Sequence, residues 1–356
     1  MAKKLFPTTL VGSMPRPQHI KDLVQERLPK GLVDEQFQRL MDEAVPFIIQ
    51  MQELAGLDIV SDGEWRRTSY SDVIADICQG FKFVMKEEFG RQEPWLVVTD
   101  ELYPRNPGLL AREARFLKSH TQREIKVALP SPYLLGQRMW DPEVSKKAYP
   151  TRKAFTEALV PVLRQELIAL RDEGVDIAQF DDPHLCLFVD SNIRSTYENP
   201  DEEMDYCIEM LNGIVDGVEG IKLALHLCRR YKGRSGWVGE GGYEPILPAL
   251  RKLKFNIIMM EFAMPKAGDK RVLKELPENL HIGLGCVDCR NPRIDTPEEI
   301  VSRVKQALEF VAPERLILHP DCGFAPGSAS DIPIDEAYRK LRSQAIAAER
   351  LRNEYA

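Results

Sequence analysis

The sequence predicts an α/β protein built from repeated strand–helix units. Three observations predict it: short apolar runs recur along the chain, helical patterns alternate with them, and eight such runs can be counted. Apolar runs without polar alternation mark strands buried on both faces, as in a parallel sheet. Eight βα units make a TIM (β/α)8 barrel, which needs about 250 residues; the chain has 356. An open doubly wound sheet fits less well. No G-x-G-x-x-G follows the first run, where "VGSMP" carries a single glycine.

The elements follow in order. "TTLVGSM" (8–14) is the first strand and "DEQFQRLMDEAVPFIIQMQELAG" (34–56) its helix. "LDIVSDGE" (57–64) is the second strand. The surplus over a minimal barrel lies mainly in 81–122, an expected insertion after the second unit, formed as a hairpin plus a helix. "REIKVALPSP" (123–132) is the third strand and "TRKAFTEALVPVLRQELIALRDEG" (151–174) its helix. "VDIAQFDDP" (175–183) and "IKLALHLC" (221–228) are strands around a helix at 201–220, which ends in glycine. "YEPILPALRKL" (243–253) reads as a helix with Pro245 in its first turn. "FNIIMMEFA" (255–263) is a strand, "KRVLKELP" (270–277) a short helix and "HIGLGCVDC" (281–289) a strand. In "TPEEIVSRVKQALEFV" (296–311) Thr296, Pro297 and Glu299 form a helix-starting capping box. "RLILHPDCG" (315–323) is the last strand and 334–355 a closing helix. The expectation is one domain over 1–356.

The bulk numbers exclude several functions. Apolar residues make up 44% and charged residues 29%, as in soluble globular proteins. A net charge of −7 favours neither nucleic acid nor an anionic membrane. No run approaches the roughly 18 apolar residues of a membrane span, and "MAKKLFPTTL" has no signal-peptide core. The expected location is the cytoplasm. There the seven cysteines, an odd number, are free thiols or metal ligands rather than a disulfide framework.

In a TIM barrel the active site lies at the C-terminal ends of the strands. "LALHLC" ends in His226 and Cys228, which point to one face because they are two residues apart. The next strand ends in Glu261, costly to bury after Ile-Ile-Met-Met without a partner. The last ends in Asp321 and Cys322. One imidazole, two thiolates and a carboxylate complete a tetrahedral Zn2+ set on one rim. Cys286 and Cys289 form a C-x-x-C, but their spacing on a strand turns the thiols to opposite faces, and no second pair exists. They read as packing residues or as neighbours of the metal ligands. Zinc with two thiolates and one carboxylate carries a formal charge of about −1. Such a centre suits holding a thiol as its nucleophilic thiolate. The expected chemistry is alkyl transfer to a thiol.

With these motifs the chain resembles the catalytic barrel of cobalamin-independent methionine synthases, over nearly its whole length and most closely their short single-barrel relatives. The resemblance implies a cytoplasmic methyltransferase that converts homocysteine to methionine with zinc on His226, Cys228, Glu261 and Cys322. "TTLVGSMP" is similar to the family's opening strand and implies that Val11, Gly12 and Ser13 hold the amino-acid end of homocysteine. "DGE" implies Glu64 for the substrate amine, and "QFDDP" implies Asp181. Two carboxylates suit an α-ammonium group. The family's seventh-strand histidine, which protonates the folate leaving group, is matched in position by Arg290, which stays charged. The family's folate-stacking tryptophan aligns near Gln137, with Trp140 three residues on. The implied methyl donor is therefore methyltetrahydrofolate or a methyl-corrinoid, the latter free or on a corrinoid protein. Three other readings are set beside this one. Transfer to coenzyme M would need cations for its sulfonate, and Arg16, Arg66, Arg67 and Arg290 lie in rim loops. A uroporphyrinogen decarboxylase-like barrel would need no metal. A zinc-stabilised binding protein would need no reaction at all.

Overall fold

The computed structural model describes residues 4–27, 35–88, 91–230, 234, 238–325 and 332–355. Its strands in chain order are β1 (Ile59–Val60), β2 (Cys78–Glu88), β3 (Arg91–Pro104), β4 (Glu124–Pro130), β5 (Ile177–Asp181), β6 (Lys222–Leu227), β7 (Ile257–Glu261), β8 (His281–Val287) and β9 (Leu316–Pro320). Seven of them form one parallel sheet in the order β1-β4-β5-β6-β7-β8-β9, and among the described residues β2 pairs only with β3. The parallel strands are almost wholly buried, as their unbroken apolar runs require. The main core packs between sheet and helices. A second, smaller cluster of Val11, Ile59, Ile177, Ala224, Ile257 and Met259 fills the concave side of the curled sheet.

The expected first strand over 8–14 is reduced to one bridge, Thr8 with Leu318. Thr9 N donates to Leu318 O, while Ile59 N donates to Thr8 O. This segment therefore touches both edges of the sheet. It does not continue as a strand because side chains take its next carbonyls: Lys126 Nζ donates to Leu10 O and Ser61 Oγ to Gly12 O. The second strand is also shorter than expected. The Gln52 side chain bonds both the N–H and the C=O of Ser61, which would have extended the ladder.

Helices at Glu35–Ala55, Arg152–Asp172, Pro200–Val215, Pro297–Leu308 and Ile334–Tyr355 fall where the periodicity places them. Asp34, the expected start of the first, lies outside the described residues. The Thr296–Glu299 capping box forms in both directions. The expected helix at 243–253 shrinks to a 3-10 turn, Glu244–Ile246, and one short turn, Leu247–Leu250; Pro245 and Pro248 lack the N–H groups a longer ladder needs. The segment at 270–277 is a 3-10 helix, Lys270–Glu275. Between β1 and β4 stand the antiparallel hairpin β2–β3 and a helix, Leu109–Ser119. Positions 89 and 90, within the expected insertion, lie outside the described residues. The hairpin leans on the segment after β4: Ser145 Oγ donates to Val98 O at 2.6 Å, and the Arg138 guanidinium covers the Trp95 ring at 4.9 Å. No described helix is long and apolar enough to cross a membrane.

Candidate metal and substrate site

Parallel pairing brings the C-terminal ends of β5 to β9 to one edge. Asp181 stands in register with His226, and Glu261 with Gly285. His226 and Cys228 project together from the end of β6, and Cys322 follows β9. The Cys228 and Cys322 sulfurs lie 3.3 Å apart. The ligand atoms of His226, Cys228 and Cys322 all lie within 4.8 Å of one another. Two sulfurs on one tetrahedral zinc, each about 2.3 Å from it, would stand about 3.8 Å apart. His226 is 2% exposed; the Met259 backbone lies near its ring, but no hydrogen bond of good geometry reaches either nitrogen from the described residues. A buried imidazole left unpaired is costly, and a metal ion would relieve it. Burial, with His319 next, holds His226 well below its usual pKa, so it is the neutral, metal-binding form. The Cys322 thiol is pushed up by its contact with Cys228 and then by burial. Two thiolates this close need a cation between them. The residues present fit zinc.

Glu261 stands beside this group rather than within it. It is fully buried, and both carboxylate oxygens have partners. Oε1 accepts from Arg229 N at 3.1 Å and Oε2 from Arg290 Nη2 at 2.8 Å. Tyr243 Oη accepts from Glu261 N at 2.8 Å and fixes the backbone there. Arg290 is itself 4% exposed, and its Nη1 lies 3.7 Å from Asp321 Oδ2. Asp321 Oδ1 accepts from Phe262 N and Ala263 N at 3.0 and 2.9 Å. Burial opposes the charge on Arg290, but Glu261 and its other anionic neighbours outweigh burial and hold its pKa high.

The substrate side lies across the same edge. Glu64 has φ +59, unusual for a residue with a side chain, and is held there by Asp62 Oδ1 accepting from its N–H at 3.0 Å. Its carboxylate lies against Gly12: a Cβ at that position would stand 2.2 Å from Glu64 Oε1. Asp181 Oδ1 accepts from Gln179 Nε2 at 2.7 Å. Burial, then the charge on Glu64, pushes Asp181 up to about 8. Burial also pushes Glu64 up. Val11 packs in the inner apolar cluster. Ser13 is tied to the loop that carries Cys322: Phe324 N donates to Ser13 O at 2.9 Å and Ala325 N to Ser13 Oγ at 3.2 Å. Gly323 permits this, since a Cβ there would meet Ser13 Oγ at 2.2 Å.

The rim-loop arginines are engaged within the protein. Arg16 Nη2 donates to Glu64 O and Arg67 O, at 2.5 and 2.7 Å. Arg66 reaches Asp42 and Gln38, Arg67 reaches Ala128 O, and Arg290 reaches Glu261. Gln137 donates to Tyr133 Oη at 2.8 Å and Trp140 to Tyr149 O at 3.0 Å. Cys286 and Cys289 are buried in the main core and outside the metal group. Sequence reasoning missed Lys126, the one charged residue in the middle of β4. Its signal was a lysine alone inside "IKVALP". Burial pulls it down to about 7, against the charges of Asp181 and Glu64.

A family description, "Cobalamin-independent synthase, Catalytic domain", matches residues 6–349. The "Methionine synthase" of Pyrococcus horikoshii is 28% identical over 99% of this chain and 95% of its own. That of Sulfurisphaera tokodaii is 27% identical over 98% of this chain and 94% of its own. Among solved structures, a B12-independent methionine synthase from Shewanella sp. W3-18-1, in complex with selenomethionine, matches with TM-score 0.81 and 25% identity over 98% of both chains.

Proposed function

Because the chain belongs to the cobalamin-independent methionine synthase family, a family of methyltransferases, we propose that it makes methionine by moving a methyl group onto the sulfur of homocysteine, beside zinc held by His226, Cys228, Glu261 and Cys322. The observation that carries this reading is the group of His226, Cys228 and Cys322, with ligand atoms within 4.8 Å and an unpaired buried imidazole. Zinc bound there supplies a positive charge that keeps an incoming thiol deprotonated. Glu261 would be the fourth ligand in this reading, its carboxylate held in place by Arg229 N and Arg290.

The chain's own groups orient the acceptor. Glu64 and Asp181 take its α-ammonium, which lets both buried carboxylates ionise. Val11, Gly12 and Ser13 take its carboxylate through backbone and hydroxyl. The Shewanella neighbour holds selenomethionine, an analogue of the product proposed here. One S–CH3 bond forms, the donor's bond to methyl breaks, and the thiol proton leaves to solvent when the thiol binds.

We place a methyl-corrinoid, free or on a partner protein, ahead of methyltetrahydrofolate as donor. A folate amine needs a proton as it leaves. Arg290, at the position where the family's histidine would give one, is paired with Glu261 and stays charged. A corrinoid leaves with the electron pair on cobalt and needs no proton. We also read residues 8–14 as a vestigial eighth strand that closes a single (β/α)8 barrel over 1–356, with the hairpin inserted after the second unit.

Zinc K-edge absorption with and without homocysteine tests the central claim. Two sulfur neighbours rising to three are expected; a spectrum indifferent to homocysteine would sink it. Turnover assays with methylcobalamin and with methyltetrahydrofolate separate the donors.

A further inference from the structure

Lys126 is an ionisable residue in an apolar place. It lies on β4, on the concave side of the sheet beside Met259, and is 2% exposed. A buried lysine is costly unless its hydrogens are accepted. Two oxygen acceptors meet it. Leu10 O and Gln179 Oε1 each lie 2.5 Å from Nζ.

Each contact reaches a different half of the amino-acid site. Leu10 immediately precedes Val11, Gly12 and Ser13. Gln179 lies two residues before Asp181 on the same face of β5. A glutamine amide presents oxygen on one side and N–H on the other, and only its surroundings choose between them. The Lys126 amine has hydrogens to give in either protonation state. It takes the amide oxygen, and the Nε2–H is left facing Asp181 Oδ1 at 2.7 Å. Were the amide reversed, its carbonyl would face the Asp181 carboxylate once a bound ammonium ionises it, and repel it. The Lys126–Gln179–Asp181 chain is fully buried at Gln179, and Asp181 is 6% exposed.

We propose that Lys126 is a positioning residue: through Gln179 it orients the Asp181 carboxylate toward the acceptor's ammonium, so that the site prefers an amino-acid thiol over one without the amine. This rests on the homocysteine reading above. Lys126 touches neither the methyl group nor the sulfur in this scheme.

The test is calorimetric binding of L-homocysteine and of 4-sulfanylbutanoate, which lacks the amine, to the zinc-loaded protein. Wild type is expected to prefer homocysteine. In Lys126→Met that affinity falls about tenfold, while binding of the des-amino thiol is unchanged. Gln179→Met is expected to behave alike, and the double variant to be no worse than either single one, because both act on one chain. If Lys126→Met does not fold, Gln179→Met carries the test by itself. Equal weakening of both thiols would mean general disruption and would overturn the proposal. Undiminished preference in the variants would overturn it while leaving homocysteine as the acceptor. A wild type that does not discriminate would overturn the relay and the amino-acid acceptor together.

Discussion

Arg290 and Glu261 form a buried ion pair, Nη2 to Oε2 at 2.8 Å, with side chains 4% and 0% exposed. The pair joins the loop after β8 to the end of β7, and the second guanidinium nitrogen faces Asp321. Removing one partner of a buried pair strands the other charge and costs about 3–5 kcal/mol. Arg290→Met is therefore expected to destabilise the metal-free protein by about that much. Zinc should reduce the loss, because a bound cation would neutralise Glu261 in place of the guanidinium. Denaturant unfolding with and without zinc measures both values. An equal loss in both conditions would show that Glu261 does not meet the metal.

Cys322→Ser should abolish stoichiometric zinc binding. The Cys322 sulfur lies 3.3 Å from Cys228 and belongs to the group around His226. Activity should fall by more than the roughly 10–100-fold typical of losing an outer partner of a metal ligand. Cys289→Ser should keep its zinc, since Cys289 is packed in the main core outside that group. Metal analysis of the two purified variants decides between the cysteines. Zinc lost from Cys289→Ser and retained by Cys322→Ser would reverse the assignment.

Glu64→Gln keeps the shape of the side chain and removes its charge. A hydrogen bond to a charged group contributes about 1.5–3 kcal/mol, so KM for homocysteine should rise about 10–150-fold. The turnover number should change far less, because Glu64 holds the amine and not the sulfur. Gly12→Ala should give the same pattern by another route, since its Cβ would occupy the place of Glu64 Oε1. Steady-state kinetics on both variants check this. A fall in kcat at unchanged KM would place Glu64 in the chemical step instead.

Most strands and long helices were legible because their cause is local. The capping box at Thr296–Glu299 and the apolar run of β7 each follow from a few neighbouring residues. That His226, Cys228 and Cys322 would meet was legible from residue type and strand position. What escaped depends on distant partners. The segment at 8–14 has strand-like residues, yet Lys126 and Ser61 take its carbonyls. Arg290 shows no local sign that its partner is Glu261, 29 positions away. Lys126 looks misplaced until Leu10 and Gln179, 116 and 53 positions away, stand around it.

Asp181 makes stability depend on pH in a direction opposite to that of a salt-bridged carboxylate. Burial, and then the charge on Glu64, raises it to about 8, against about 3.9 in an unfolded chain. Between these values the folded protein keeps a proton that the unfolded chain releases. Folding therefore takes up a proton, and this contribution to stability is present at low pH and is lost as pH rises toward about 8. Asp181→Asn cannot titrate and escapes the loss. In the absence of ligand its stability relative to wild type should improve by up to about 1.4 kcal/mol for each pH unit across that window. It should bind homocysteine more weakly even so, because the amide cannot carry the charge that meets the ammonium. Thermal melting of both proteins near pH 5 and near pH 9 gives the comparison. A constant difference between them would mean that Asp181 is ionised throughout, held so by the Gln179 and Lys126 contacts.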